Sequence, residues 1–159
     1  MIKVLFVCLG NICRSPMGEG LLIHLVKEEG LSDKISVDSA GTSGWHIGEP
    51  ADRRMRQTAE SHGIHLPSKS RQIRLSDFQE FDYILAMDSS NLRDLQDLYH
   101  QVKKPKAQIF KMRYFDPQAP DSDVPDPYYG GDLGFEEVYQ MLDRATRGLM
   151  AHIRAEHGI

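Results

Sequence analysis

The segment Lys3-Val4-Leu5-Phe6-Val7-Cys8 constrains the fold of this chain more than any other. It is a short apolar run rich in β-branched residues, and it reads as a strand buried on both faces. Gly10 and Asn11 break it. Ser15-Pro16 then opens a helix, with Ser as the cap and Pro suited to the first helical position. Apolar residues recur at Leu21, Leu22, Leu25 and Val26, and Gly30 closes the helix. Gly18 and Gly20 inside it each cost up to ~1 kcal/mol relative to Ala, so close packing against the sheet is expected to compensate.

The same alternation continues down the chain. Residues 35–40 read as a second strand, 51–62 as a helix ended by Gly63, and 81–87 as a third buried strand. A helix is expected from Ser89 or Ser90 to about Tyr99, a fourth strand over 107–112, and a last helix from about Gly134 to His157. Phe135, Val138, Tyr139, Leu142, Leu149 and Ile153 give that last helix an apolar stripe at helical spacing. Strands alternating with helices predict an α/β domain built on a parallel sheet. With 159 residues, no internal repeat and no linker, residues 1–159 are expected to form one domain. Residues 116–133 have no periodicity, four prolines, and only acidic residues among their charged ones. A loop of that length in a small domain is usually functional or disordered, and Tyr128-Tyr129 argues against disorder.

Composition narrows the function classes. The hydrophobic share of 40% and charged share of 26% are those of a globular chain. No apolar run approaches the ~20 residues of a membrane span. Val4 to Leu9 is too short for the core of a signal peptide, and Gly10, Asn11 and Arg14 follow where a cleavage site would belong. A cytoplasmic protein without membrane contact is expected. The formal charge of −4 disfavours non-specific nucleic-acid binding, which needs clustered cations. The clusters Arg53-Arg54-Met55-Arg56 and Lys103-Lys104-Pro105-Lys106 read as solvated surface. The two cysteines, Cys8 and Cys13, are too few for a disulfide scaffold. Their spacing is not that of a zinc site, and no metal or other cofactor is expected.

The chemistry concentrates in Cys8-Leu9-Gly10-Asn11-Ile12-Cys13-Arg14-Ser15, between the first strand and the first helix. Open α/β sheets bind ligands at the carboxyl ends of their strands. A loop entering a helix aims backbone N–H groups at one point, and the helix dipole adds partial positive charge. Gly10 permits a tight turn, and Asn11 tolerates a left-handed conformation. Arg14 adds a planar fork matched to two phosphate oxygens. Such surroundings favour thiolate over thiol, and the Ser15 hydroxyl can donate to the sulfur. Cys8 is therefore expected to be an anionic nucleophile facing a bound phosphate. Cys-(x)5-Arg alone is weak evidence; its strand–turn–helix setting is what gives it weight. Attack on a phosphate monoester also needs an acid for the leaving oxygen. Asp126, held between Pro125 and Pro127, is the candidate, and Tyr128 and Tyr129 could wall a slot for a flat ring.

These residues resemble the low-molecular-weight protein tyrosine phosphatases along nearly the whole chain. The resemblance rests on residues 7–16, on Asp38-Ser39-Ala40 followed by Thr42-Ser43-Gly44, on residues 81–85, on Met87-Asp88, and on Asp126-Pro127-Tyr128-Tyr129-Gly130. It implies a four-stranded parallel sheet flanked by helices on both faces, a three-layer flavodoxin-like or Rossmann-like arrangement. It implies hydrolysis of phosphotyrosine and small aryl phosphates through a phosphocysteine on Cys8. Arg14 would clamp the phosphoryl group, and Asp126 would act first as acid and then as base. Leu9, Gly10, Asn11, Ile12, Cys13 and Ser15 would form the phosphate loop, with Ser39 and Asp88 supporting it. Trp45, Tyr128 and Tyr129 would line the entrance. Phosphotyrosine proteins, a tyrosine kinase among them, would be the substrates of a monomer or weak dimer. One departure stands out: many members carry a histidine three residues before the arginine that matches Arg71, where this chain has Ser68, which puts the support of Asn11 in question.

Rival readings use the same loop. A thioredoxin-coupled arsenate reductase needs cysteines downstream, and none follows Cys13. A silent phosphate-binding module would need neither Cys8 nor Asp126. Phosphoarginine phosphatases tend to carry Thr where this chain has Ile12. Cys13 itself is either a small buried hydrophobe or a thiol that traps oxidised Cys8 as a reversible disulfide. The family resemblance, in which such a pair forms, favours the second, redox-regulated reading.

Overall fold

The computed structural model describes residues 1–130 and 132–159, apart from the side chains of Tyr129, Asp132 and Leu133. Four parallel strands form one sheet: β1 (Ile2–Cys8), β2 (Ile35–Gly41), β3 (Tyr83–Ala86) and β4 (Gln108–Lys111), in the order β2-β1-β3-β4. β1 pairs with β2 from Ile2↔Ile35 to Cys8↔Gly41, and with β3 from Val4↔Tyr83 to Val7↔Ala86. The helices are α1 (Arg14–Glu28), α2 (Arg53–Ser61), the single turn α3 (Asp77–Glu80), α4 (Ser89–Tyr99) and α5 (Asp132–His157). Among the described residues, no helix is long and apolar enough to cross a membrane.

Because successive side chains of a strand face opposite ways, β1 feeds two cores. Val4 and Phe6 pack with Met17 and Leu22 of α1 and Val138 and Leu142 of α5. Leu5 and Val7 pack on the other face with Phe78 of α3 and Leu95 of α4. All four of these β1 side chains are fully buried, as an apolar run without alternation predicts. The order of connection reverses between β1 and β3, so the carboxyl end of β1 opens into the crevice where such sheets bind ligands.

Two local expectations change. Ser15 does not cap α1: the residue before the helix is Cys13, whose side chain makes no cap hydrogen bond among the described residues, and Ser15 lies inside the first turn. Its hydroxyl is engaged by the loop. The two helix glycines also serve different neighbours. A Cβ on Gly18 would stand 2.8 Å from the Phe6 ring of β1, whereas one on Gly20 would stand 2.9 Å from the His65 carbonyl and 2.5 Å from Leu66. Gly18 thus packs on the sheet and Gly20 on the 64–66 segment.

Residues 116–130 are tied down at their start by Asp116, which is fully buried. It accepts from Arg113 Nε at 3.1 Å, Arg144 Nε at 3.1 Å and the Gln118 N–H at 3.0 Å. Burial would raise this carboxyl, but those donors hold it below the ordinary carboxylate range.

Candidate active site

The loop from Cys8 to Cys13 has its carbonyls pinned outward. The Cys8 carbonyl accepts from the Thr42 N–H at 2.9 Å and the Leu9 carbonyl from the Ser43 N–H at 2.9 Å. The Gly10 carbonyl accepts from Ser70 Oγ at 3.0 Å, and the Ile12 carbonyl from the Asp52 N–H at 2.7 Å. In a trans peptide the C=O and the following N–H point opposite ways. Turning these carbonyls out therefore turns the N–H groups of residues 9, 10, 11 and 13 inward. The uncapped start of α1 adds its own free N–H groups. An anion cradle results from where the outer segments attach.

Asn11 makes the turn with φ 56, a left-handed value that Asn tolerates better than most residues. Its side chain is held on three sides. Nδ2 donates to Ser15 Oγ at 2.8 Å and to Ser39 Oγ at 2.9 Å, and Oδ1 accepts from the Arg71 N–H at 3.0 Å. Ser39 in turn donates to Glu19 Oε1 at 2.6 Å, with Ser68 Oγ 3.5 Å from Ser39 Oγ. Asn11 is thus fully tethered with Ser68 in place of a histidine. Glu19, 4% exposed, has its carboxyl pushed up by burial against the pull of Ser39 and Ser68.

Cys8 lies at the floor, with Sγ 3.0 Å from Ser15 Oγ. Arg14 is the largest fully buried side chain. Its Nη1 donates to Asp88 Oδ2 at 2.6 Å and to the Val124 carbonyl at 3.0 Å, and its Nη2 lies 3.5 Å from Asp126 Oδ2. Burial works against the guanidinium charge, yet Cys8, Asp88 and Asp126 together favour it, so its pKa rises. Among the described residues, the buried Nε has no hydrogen-bond partner. Asp88 also caps α4 through the Asn91 N–H at 2.7 Å. Asp126 is one-third exposed, and its Oδ1 accepts from the Tyr128 N–H at 3.0 Å, which starts a 3-10 turn over Pro127–Tyr129.

The structure brings Cys8, Leu9, Gly10, Ile12, Cys13 and Arg14 into one pocket, with Trp45, Asp126 and Tyr128 at its mouth. Asn11, Ser15, Ser39 and Asp88 lie behind it as supports. The side chain of Tyr129 lies outside the described residues. Two contributors escaped the sequence reading. His46 lines the mouth beside Trp45 and pairs with Glu49. Arg54, read as solvated surface, instead pairs with Asp52 at 3.2 Å and donates to the Tyr128 carbonyl at 3.1 Å. Its guanidinium sits 5.5 Å from the Tyr128 ring centroid and 4.7 Å from that of Phe135. Met55, in the same basic cluster, is fully buried. The one signal available for Arg54 was its place two residues after Asp52, a residue type that caps helices. Among the described residues, no group of His, Cys, Asp or Glu is arranged to hold a metal.

An anion cradle with a cysteine at its floor and a carboxylate at its rim, set at the switch point of a parallel sheet, defines a cysteine-dependent phosphohydrolase site. The family model for low molecular weight phosphotyrosine protein phosphatase matches residues 3–158. A Homo sapiens low molecular weight phosphotyrosine protein phosphatase is 49% identical over 148 residues, 93% of each chain. The crystal structure of an Entamoeba histolytica protein tyrosine phosphatase superposes with a TM-score of 0.90 at 43% identity, over 99% of each chain. A Drosophila arginine phosphatase superposes with a TM-score of 0.91 at 35% identity, over 96% of this chain and 98% of that one. The chain belongs to the low molecular weight phosphotyrosine protein phosphatase family.

Proposed function

We propose that this enzyme hydrolyses phosphotyrosine and small aryl phosphates in two displacements at Cys8. The observation that carries this is the shared pocket, which Cys8, Arg14 and Asp126 line together. In the first step the Cys8 thiolate attacks phosphorus. The P–S bond forms, the P–O bond to the phenol breaks, and Asp126 gives its proton to the leaving oxygen. In the second step Asp126 takes a proton from water, which attacks phosphorus. The P–S bond breaks to release inorganic phosphate and restore the thiolate. Inward N–H groups and Arg14 stabilise the equatorial oxygens, the task such fixed donors perform best. The unpartnered Arg14 Nε is available for one of those oxygens.

Depth supports an aromatic ester. Cys8 is 3% exposed at the floor, while Trp45 is 74% exposed at the rim, which suits a phosphoryl group carried on a long, flat side chain. Trp45 and Tyr128 offer faces to that ring. Phosphotyrosine proteins, a tyrosine kinase among them, are then the substrates of a cytoplasmic monomer or weak dimer. The likeness to the Drosophila arginine phosphatase favours phosphoarginine as the second reading; Ile12 and the aromatic rim weigh against it.

Phosphate release from phosphotyrosine, phosphoserine and phosphoarginine peptides tests the proposal. The phosphotyrosine peptide should be turned over fastest, and preference for phosphoarginine would reverse the assignment of substrate. Cys8→Ser should lose turnover and keep vanadate binding, because the cradle survives. Substantial hydrolysis by Cys8→Ser would rule out the phosphocysteine.

A further inference from the structure

The acid-bearing loop carries no cation of its own between residues 116 and 133, and its prolines remove backbone donors. Its anchors must come from elsewhere. Lys111, at the carboxyl end of β4, supplies the densest one. Its Nζ lies 2.8 Å from Asp123 Oδ1 and donates to the Asp121 carbonyl at 2.6 Å and to Ser89 Oγ at 3.1 Å. Three acceptors use the full donor capacity of an ammonium. Asp123 Oδ1 also accepts from the Ser89 N–H and from Ser89 Oγ, each at 3.0 Å. Ser89 opens α4, so that N–H is one the helix itself leaves unpaired. The Asp123 carbonyl accepts from Arg113 Nη1 at 3.2 Å.

The next residue is locked as well. Val124 is fully buried, its N–H donates to the Met87 carbonyl at 2.8 Å, and its carbonyl accepts from Arg14. Pro125 then restricts the approach to Asp126. The carboxyl at the pocket mouth thus hangs two residues beyond a clamp built from the ends of β3 and β4. The Lys111 contact holds the Asp123 carboxyl below its ordinary range.

We propose that Lys111, acting through Asp123 and Ser89, is a positioning residue for Asp126: it fixes the segment from which the acid reaches the leaving oxygen. The inference rests on the acid role of Asp126 proposed above. Small misplacements of a catalytic group are costly, since a shift near 1 Å can lose about 10²-fold in rate.

The experiment compares Lys111→Met, Lys111→Arg, Asp123→Asn and Asp126→Ala on phenyl phosphate and on dinitrophenyl phosphate, whose leaving group needs little protonation. The readout is kcat/KM, which reports the step that breaks the ester bond, with vanadate affinity and thermal melting alongside. Asp126→Ala should lose about 10²–10⁴-fold on phenyl phosphate and far less on the dinitrophenyl ester. Lys111→Met should show the same split in milder form, about 10-fold against less than about 3-fold, with vanadate affinity unchanged. Lys111→Arg should recover most of the loss. Asp123→Asn, which keeps the shape of the site, should reproduce the split even if Lys111→Met folds poorly. Equal losses on both esters, or none, in Asp123→Asn would overturn the positioning role. If Asp126→Ala itself shows no split, the acid assignment fails, and this inference falls with it.

Discussion

Cys13 stands one residue before Arg14, and it is 4% exposed in the same pocket as Cys8. Burial first, then the charges of Asp52 and Cys8, push its thiol far above the ordinary cysteine range. It is therefore a protonated bystander and no rival for the substrate. Peroxide changes the balance. A thiolate oxidises first, to a sulfenic acid, and that product is neutral, so one of the charges holding the Cys13 proton in place disappears. The Cys13 sulfur can then attack the Cys8 sulfur; an S–S bond forms and the sulfenic oxygen leaves as water. We expect Cys13→Ser to keep its turnover but to lose its protection. After peroxide and then dithiothreitol, the wild type should regain most of its activity and Cys13→Ser little. Matching recovery in the two proteins would leave Cys13 as packing alone.

At the scale of elements, the tightest seam lies where α5 crosses the 3-10 turn at Met112–Phe115. A Cβ on Gly148 would collide with the Phe115 carbonyl oxygen, with the carbonyl carbon 3.1 Å away. Both partners are backbone, so neither can rotate aside. Ala should gain up to ~1 kcal/mol in helix propensity, but overpacking of this kind costs about 1–3 kcal/mol or more. Gly148→Ala should therefore unfold at lower urea than the wild type; a higher midpoint would show that the seam opens freely. This seam is not legible in the sequence, where Gly148 reads as one weak residue in a long helix. The same limit recurs across the chain. The strands and the main helices were legible because burial on one or both faces leaves a local periodic trace. Cys8, Arg14 and Asp126 were legible as candidates for one pocket because a strand–turn–helix loop and a proline-flanked aspartate are local patterns. Ser15 was misjudged as a cap because its hydroxyl, read as a donor to Cys8, is also taken by Asn11 once the loop has closed, and the helix begins one residue earlier. Arg54 reaches the Tyr128 carbonyl and Lys111 reaches Ser89, as Asp123 does, across long stretches of sequence, and no local pattern records such contacts.

The whole molecule is organised around β1, which sends Phe6 into one core and Leu5 and Val7 into the other. Neither face of the sheet can open without exposing the strand that serves both. Residues 1–159 should therefore unfold as one cooperative unit, as single domains of this size commonly do. The active site offers a way to test this, because its parts come from every layer. Cys8 ends β1, Arg14 opens α1, Asp88 caps α4, and Val124 and Asp126 belong to the loop that leads to α5. An oxyanion that gathers these groups stabilises all of them together, by about 2.7 kcal/mol at a ligand concentration 100 times Kd. For a chain of this length that corresponds to a rise in Tm of roughly 5–10 °C. With vanadate, the near-ultraviolet signal of Trp45, the only tryptophan, should shift together with the far-ultraviolet helix signal. Cys8→Ser should keep the shift, because the inward N–H groups and Arg14 remain. Arg14→Ala should lose it, because Asp88 and Asp126 are then left facing the anion without the cation between them. If the Trp45 signal moved while the helix signal stayed in place, the site would belong to a unit that melts on its own, and the single-domain account would be wrong.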